Sequence, residues 1–128
     1  MLDHIGLAVS DVARSKAFFQ TALAPLGIEV MMEVTPEQSG GGAHAGFGSN
    51  GRPYFWIGDG KPPTTGVHVA FTTSERGAVD AFYKAALAAG GRDNGPPGIR
   101  AHYHPNYYGA FVIDLDGHNI EAVCHTPA

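Results

Sequence analysis

Hydrophobic and polar residues alternate at the start of the chain, in the stretch DHIGLAVSD at residues 3–11. The aliphatic residues at positions 5, 7 and 9 fall on one face, and the small residues at positions 6 and 8 share the other face with His4. Alternation with a period of two is typical of a β-strand that is buried on one side. The pattern returns at residues 67–72, where His68 again falls on the less apolar face. The chain is therefore predicted to contain two matching strands, each with one histidine.

The two strands belong to an internal repeat. Residues 4–27 align with residues 68–91 at a constant offset of 64 and without a gap, and 8 of the 24 aligned positions are identical. The identical pairs include the two histidines, Ser10 with Ser74, and the glycine that ends each copy. These residues lie outside the alanine-rich part of the repeat, where chance matches are common. The alignment therefore indicates a tandem duplication.

Each of these strands is followed by a helical pattern of apolar residues spaced three and four apart. The first helix is predicted to be capped by Ser10 or Asp11 and to end at Gly27. The second is predicted to be capped by Ser74 and to end at residues 90–91. The apolar stripes expected to face the core are Val12, Phe19, Ala22, Leu23 and Leu26 in the first helix, and Val79, Phe82, Tyr83, Ala86 and Leu87 in the second.

Three further strands are predicted after each helix. They lie at residues 28–35, 43–48 and 53–58 in the first half, and at 99–103, 108–115 and 118–125 in the second. Asp116-Gly117 between the last two is a signal for a two-residue hairpin. The predicted fold class is therefore α+β, in one domain spanning 1–128. Tandem β-α-β-β-β modules at about 1–60 and 64–128 would form a mostly antiparallel curved sheet around a cleft, with one helix per module on the outer face.

Composition restricts the class of protein and of partner. With 44% hydrophobic and 16% charged residues, the 128-residue chain has enough apolar material for a core. A net charge of −4 without a basic cluster argues against nucleic acid as a partner. The single cysteine, Cys124, excludes an internal disulfide framework and a cysteine-based zinc motif. Because neither a signal peptide nor a membrane span is recognisable, we expect a cytoplasmic protein without a membrane partner.

Three side chains are predicted to meet on the face of the sheet opposite the helices. If Ile120 and Ala122 pack under a helix, Glu121 points to the same side as His4 and His68. Two histidines and one carboxylate with open positions suit non-haem Fe(II), and the set also accepts Mn, Ni, Co or Zn. The alternative is that backbone carbonyl groups or water satisfy both histidines. A half-buried glutamate without a partner is costly to leave ionised, which favours the metal site.

The remaining histidines differ in their surroundings. His102 and His104 lie in IRAHYHPNYYG, an aromatic segment before the last hairpin, where a cleft wall is expected. An acid–base or substrate-contact role is the hypothesis for His104, and solvent exposure is the alternative. His44, His118 and His125 are predicted to be solvated.

The chain resembles the vicinal oxygen chelate superfamily, which includes glyoxalase I, extradiol dioxygenases, fosfomycin-resistance enzymes and bleomycin-resistance binding proteins. The resemblance rests on the duplication, with HIGLAVSDVARSKAFF at the front, GVHVAF in the middle and GAFVIDLDGHNIEAV at the end. In metal-binding members the ligands come from the first strand of each module and from the last strands. The resemblance therefore implies His4, His68 and Glu121 as ligands.

Two departures from the superfamily patterns affect this set of ligands. Glyoxalase-type members have a fourth ligand on the last strand of the first module, but shifting Glu121 back by 64 leads to Ile57, which cannot bind a metal. The remaining three ligands match the set of extradiol dioxygenases. The signature of that group has a tyrosine where this chain has Phe111. Loss of its hydroxyl argues against ring cleavage unless Tyr107 or Tyr108 replaces it.

The resemblance implies a small metal-dependent enzyme, a lyase or a dioxygenase. Its divalent ion would act as a Lewis acid or an oxygen-binding centre on a small molecule with two neighbouring oxygens, with His104 as a proton carrier. The alternative is a metal-free small-molecule-binding protein of the bleomycin-resistance kind. A homodimer is expected, but the modules pair either within one chain or across two. The side chains expected to line the cleft are Phe55, Trp56, His102, Tyr107, Tyr108 and Phe111.

Overall fold

A computed structural model describes residues 1–128 and divides them into two modules with the same topology. The first sheet has the strand order β1-β4-β3-β2, in which β1 and β4 are parallel and the other pairs antiparallel. The elements of the first module are β1 (Ile5–Ala8), α1 (Val12–Leu23) with a 3-10 turn (Ala24–Leu26), β2 (Glu29–Val34), the short α2 (Pro36–Ser39), β3 (His44–Ser49) and β4 (Arg52–Gly58).

The second module repeats this arrangement. Its sheet has the order β5-β9-β8-β6, with β7 also paired to β8, and β5 and β9 are parallel. The α+β class and the β-α-β-β-β pattern are thereby confirmed, and neither sheet closes into a barrel. The elements are β5 (His68–Thr72), α3 (Arg76–Ala88), β6 (Arg92–Asp93), β7 (Gly98–Ile99), β8 (Tyr108–Ile113) and β9 (Asn119–Cys124).

The two long helices begin at equivalent positions but are capped differently. The carboxylate of Asp11 accepts the backbone N–H of Arg14, which caps α1 as predicted. At α3 the cap position is Glu75, and its side chain makes no capping bond. The prediction that Ser74 caps this helix is therefore wrong. The nearest side-chain acceptor is the hydroxyl of Thr73, which receives the N–H of Glu75 at 3.3 Å.

The second module also differs from prediction in its strands and turns. The strand expected at 99–103 is only the two-residue β7, and the residues after it form a turn. The loop between β8 and β9 holds three residues rather than two, because the N–H of Asp114 donates to the carbonyl of His118 at 3.0 Å. Gly117 ends this turn with a φ of 89°, a conformation that favours glycine.

The helix-covered faces of the two sheets share one core. Helix α1 packs on α3, and the rings of Phe55 on β4 and Phe71 on β5 meet edge to face with centroids 5.2 Å apart. Phe18, Phe19 and Phe82 are almost fully buried, and each such side chain contributes about 2–3 kcal/mol through burial. Because this core joins both modules, the opposite face of each sheet is left uncovered.

Strands β1 and β5 are open edges. Each has a strand neighbour on one side only, β4 for β1 and β9 for β5, and the two edges do not pair with each other within the chain. At the end of β1, the carbonyl of Ala8 accepts the N–H of Thr64. An unpaired edge exposes backbone N–H and C=O groups that a further strand can bind. No helix in the structure is both long enough and apolar enough to cross a membrane.

Candidate functional site

Glu121 lies at the centre of a cluster on the uncovered face of the second sheet. It sits in the middle of β9, opposite Ala70 on β5 and Phe111 on β8. Its neighbours Ile120 and Ala122 are fully buried in the core, so the alternation of β9 turns Glu121 to the other side. This orientation is the one that the sequence predicts.

Both carboxylate oxygens of Glu121 are hydrogen bonded. Oε1 lies 2.8 Å from Nε2 of His68, and Oε2 accepts the hydroxyl of Tyr107. The Glu121 side chain is 1% exposed, whereas that of His68 is 50% exposed. No lysine or arginine forms an ion pair with the carboxylate. An imidazole nitrogen and a carboxylate oxygen are therefore held side by side, with the imidazole open to solvent.

The hydroxyl of Tyr107 acts as a donor in this cluster. Burial, followed by the hydrogen bond to Glu121, raises the pKa of Tyr107 well above its usual range. The phenol is therefore neutral at physiological pH, and it donates a hydrogen bond to the carboxylate instead of adding a second negative charge.

Phe111 and Arg100 form one wall of the cluster. The Phe111 ring lies 6.1 Å from that of His68, and the guanidinium of Arg100 lies 5.4 Å from the centroid of the Phe111 ring. Two N–H groups of Arg100 donate to the carbonyls of Gly98 and Pro96, at 2.9 and 2.7 Å. The guanidinium of Arg100 thus contacts backbone carbonyls and an aromatic ring, and it forms no ion pair with Glu121.

His4 is separate from this cluster. It precedes β1 in the first sheet, where its exposed ring bonds through Nδ1 to Asp3 at 2.7 Å. The hydrogen bond from His4, with a further one from Arg52, holds the pKa of Asp3 below its usual value. No group of three histidine, cysteine or acidic side chains within the chain is arranged to hold a metal ion. The structure therefore brings together His68 and Glu121, and leaves His4 apart.

The residue of the first module that corresponds to Glu121 is Trp56. Strand register pairs Gly6 with Trp56, just as it pairs Ala70 with Glu121. The offset between the modules is thus 65 in the last strand, not 64 as in the first strand and helix. The assignment of Ile57 to this position is wrong, since Ile57 is fully buried on the helix-covered face.

Glycines allow two rings to lie against the first sheet. A Cβ on Gly46 would stand 2.8 Å from the Trp56 ring, and one on Gly58 would stand 2.5 Å from the His44 ring. Both rings border a groove of about 510 Å³ that runs along the uncovered face beside Gly6. The sequence predicts a solvated His44, whereas the structure places it half buried in this groove.

Phe55 and Tyr108 do not face the uncovered surface. Phe55 is fully buried in the core, and the hydroxyl of Tyr108 donates to Asp80 of helix α3 at 2.6 Å. Phe55 directly precedes Trp56, and Tyr108 directly follows Tyr107; Trp56 and Tyr107 are the residues that face the uncovered side. Because successive side chains of a strand alternate, the expectation that both members of each pair line a cleft does not hold.

His102 and His104 are exposed in the segment before β8. Nδ1 of His104 accepts the N–H of Asn106 at 3.0 Å, which leaves Nε2 free of a hydrogen bond. The His104 ring lies 5.8 Å from that of His125, which lies 5.1 Å from that of Tyr107. His104 is thus separated from Glu121 by two aromatic side chains.

His118 belongs to a buried network that no sequence pattern predicts. It is fully buried, with Nδ1 2.8 Å from Asp114 and Nε2 2.9 Å from the hydroxyl of Thr64. Thr64 in turn donates its N–H to the carbonyl of Ala8 at 3.0 Å. The prediction of a solvated His118 is therefore wrong. The network ties the last hairpin to the segment between the modules and to β1.

Comparison with known proteins identifies the fold. Residues 1–122 match the family model "Glyoxalase/Bleomycin resistance protein/Dioxygenase superfamily". A glyoxalase/bleomycin resistance protein from Albidiferax ferrireducens T118 has a similar structure, with a TM-score of 0.79 and 28% identity over 97% of this chain and 98% of that one. No curated protein matches the sequence.

Two further solved structures share the fold at lower identity. One is a mutant of the fosfomycin resistance protein FosX from Listeria monocytogenes, complexed with Mn(II) and 1S,2S-dihydroxypropylphosphonic acid. It has a TM-score of 0.69 and 22% identity over 96% of this chain and 88% of that one. The other is a glyoxalase I mutant from Zea mays, with a TM-score of 0.71 and 21% identity over 95% of this chain and 46% of that one.

Proposed function

We propose, from the premise that this chain belongs to the glyoxalase/bleomycin resistance protein/dioxygenase superfamily, that it is a metal-dependent enzyme acting on a small molecule with two neighbouring oxygens. The ligands are His68 and Glu121 of one protomer and His4 of a second copy, so the active form is a homodimer. When bound, the ion supplies a Lewis acid that stabilises negative charge on the substrate oxygens. Two imidazoles and a carboxylate favour Fe(II) and also suit Mn, Co, Ni or Zn.

The observation that carries this proposal is the pairing of Glu121 with His68. A carboxylate that is 1% exposed and bonded only to an imidazole and a phenol is costly to keep charged. Nε2 of the imidazole beside it lies 2.8 Å from the carboxylate and is a second atom able to bind a metal. A divalent cation bound to both would neutralise the carboxylate. The donor set therefore fits a metal, but it is one or more ligands short within the chain.

The two open strand edges support a second copy as the source of His4. In one chain, the packing of α1 on α3 keeps β1 and β5 in separate sheets. Each edge carries its histidine at or just before the first residue of its strand. Pairing β1 of one copy beside β5 of another would satisfy both edges and bring His4 toward His68 and Glu121.

Trp56 supports a site with three protein ligands rather than four. It occupies the position that mirrors Glu121, and an indole does not bind divalent metals. Positions left open would be available to substrate oxygens. The Mn(II) and the vicinal diol bound by the FosX relative are consistent with this chemistry. The groove beside Trp56 offers an apolar surface for the rest of a small ligand.

His104 is retained as a proposed proton carrier, with Nε2 as the reacting atom. Its Nδ1 is held by the N–H of Asn106, which fixes Nε2 as the nitrogen that exchanges protons with solvent or substrate. His102 lies beside Tyr103, with ring centroids 4.1 Å apart, and is a proposed substrate contact at the rim. Neither residue touches Glu121.

A mixed dimer tests the metal site. His4→Ala and His68→Ala chains are co-expressed with two different affinity tags free of histidine, and the dimer carrying both tags is isolated. Neither variant alone should hold stoichiometric Co(II), because every site lacks one ligand. The mixed dimer contains one intact site, so its Co(II) content should recover to roughly half of the wild-type value.

Four outcomes of this experiment count against the proposal. A mixed dimer without metal would place His4 in the site of its own chain, and stoichiometric Co(II) in the His4→Ala variant alone would place His4 outside the site. A wild-type protein that is monomeric, by light scattering, would exclude the shared site. A wild-type protein without metal affinity would favour the second candidate, a metal-free binding protein, for which the groove bordered by Trp56 and His44 is the specific support.

A further inference from the structure

The environment of Tyr107 links it to Glu121 and to no other acceptor. Its hydroxyl donates to Oε2, while Oε1 on the other side of the same carboxylate faces Nε2 of His68. The two oxygens thus have different partners and different directions. One is occupied by a neutral donor, and the other points to a nitrogen that can bind a metal.

The position of Tyr107 is fixed by its neighbours. Its ring lies 5.1 Å from those of Tyr103 and His125, and its backbone carbonyl accepts the N–H of Arg100 at 2.7 Å. Gly109 makes room for the contact with the carboxylate. A Cβ there would stand 3.1 Å from the Tyr107 ring and 3.3 Å from Oε2 of Glu121. A side chain at 109 would therefore crowd both members of the pair.

We propose that Tyr107 is a positioning residue for the metal-binding carboxylate: its hydroxyl holds Oε2 of Glu121, so that Oε1 alone is presented beside His68 and the metal is bound through one carboxylate oxygen. This inference rests on the proposed function. Carboxylates that bind metals are themselves commonly held by outer hydrogen bonds, and loss of such a partner weakens metal affinity roughly 10–100-fold. In this proposal Tyr107 supports a metal ligand, whereas the sequence predicts it as a residue that lines the substrate cleft.

Tyr108 provides a matched control. It is the next residue and also a tyrosine, but its hydroxyl donates to Asp80 on the helix-covered side of the sheet. Removing either hydroxyl deletes one atom and one hydrogen bond to a carboxylate. Only the change at 107 affects Glu121.

The test uses Co(II), whose visible absorption reports on its ligands. Tyr107→Phe should bind Co(II) about tenfold or more weakly than the wild type and shift the absorption bands, because Glu121 becomes free to rotate. Tyr108→Phe should change neither quantity. In a Glu121→Asp background, where the shorter side chain cannot reach the phenol, Tyr107→Phe should have little additional effect on affinity.

The outcomes separate this inference from the proposed function. If the wild type binds no Co(II), both are overturned. If the wild type binds Co(II) and the two phenylalanine variants behave alike, only the role of Tyr107 is overturned. The same holds if Tyr107→Phe weakens Co(II) binding as much in the Glu121→Asp background as in the wild type. Should Tyr107→Phe not fold, Gly109→Ala takes its place. The added methyl crowds the phenol and the carboxylate, so unchanged affinity together with unchanged Co(II) absorption would also refute the inference.

Discussion

The uncovered faces of the two modules carry equivalent rows of three residues, but the side chains in the two rows differ in chemistry. The rows consist of Gly6, Trp56 and Gly46 in the first module and of Ala70, Glu121 and Phe111 in the second. In the first module, the aromatic ring of the β4 residue lies over the glycine of β3. In the second module, the corresponding residue of β9 is a carboxylate, and the aromatic residue lies on the neighbouring strand β8. The duplication has thus kept the helix-covered faces similar, while the uncovered faces hold a groove in one module and polar donors in the other.

The hairpins at the ends of the two sheets differ in the same way. In the first module, Asn50 and Gly51 form an exposed two-residue turn with φ values of 54° and 77°. In the second, Asp114 accepts the N–H groups of Asp116 and His118 and bonds to the buried His118 ring. The first turn depends on local conformation alone. The second is part of the contact between the modules.

The largest expected effect comes from Ile57→Glu, which tests the register that makes Trp56 the counterpart of Glu121. Ile57 is fully buried among apolar side chains, so an ionised carboxylate there has no partner. The free energy of unfolding should fall by about 4 kcal/mol or more, measured by urea denaturation. Trp56→Glu is the control, because position 56 faces the groove and the variant should remain folded. Equal stability of the two variants would contradict the register.

Asp114→Ala should have the next largest effect. It removes the acceptor for two backbone N–H groups and for the ring of His118, in a site without access to water. Leaving these groups unsatisfied should cost about 3 kcal/mol of unfolding free energy, measured by thermal and urea denaturation.

Asn50→Gly is the matched change in the other hairpin. Since Asn50 already has a positive φ, which glycine adopts without strain, its cost should stay within about 0.5 kcal/mol. A comparable loss in both hairpins would mean that the buried network adds nothing to the second turn.

A smaller effect than that of Asp114→Ala is expected from Trp56→Glu, on metal affinity. In the proposed dimer this change gives the first module a carboxylate at the position that mirrors Glu121. A fourth, anionic ligand should strengthen Co(II) binding on the order of tenfold, measured by competition with a chromophoric chelator. Trp56→Gln offers a neutral version for comparison. Equal binding by the glutamate and glutamine variants, at the wild-type affinity, would show that position 56 lies away from the ion.

The sequence predicts the duplication, both long helices and the side of β9 on which Glu121 lies, because these follow from periodicity and from identical residues. It does not predict the extra residue that shifts β4 against β9, since PYFWIG and NIEAVC have no identical residues to align. The run PYFWIG is apolar throughout, so alternation cannot reveal that Trp56 rather than Phe55 faces the groove. The ring of His118 is buried by contacts with Thr64, 54 positions away, and no local pattern signals that contact.

Trp56 also has a consequence for experiment. It is the only tryptophan among the 128 residues, and it lies against Gly46 on the uncovered face of the first sheet. Indole emission excited at the red edge of its absorption therefore comes from this one place, without background from the core. A shift in its colour or intensity on adding a second copy, a metal or a small molecule reports directly on the groove. Trp56 is thus an intrinsic fluorescent probe of the groove in which a ligand is expected to bind.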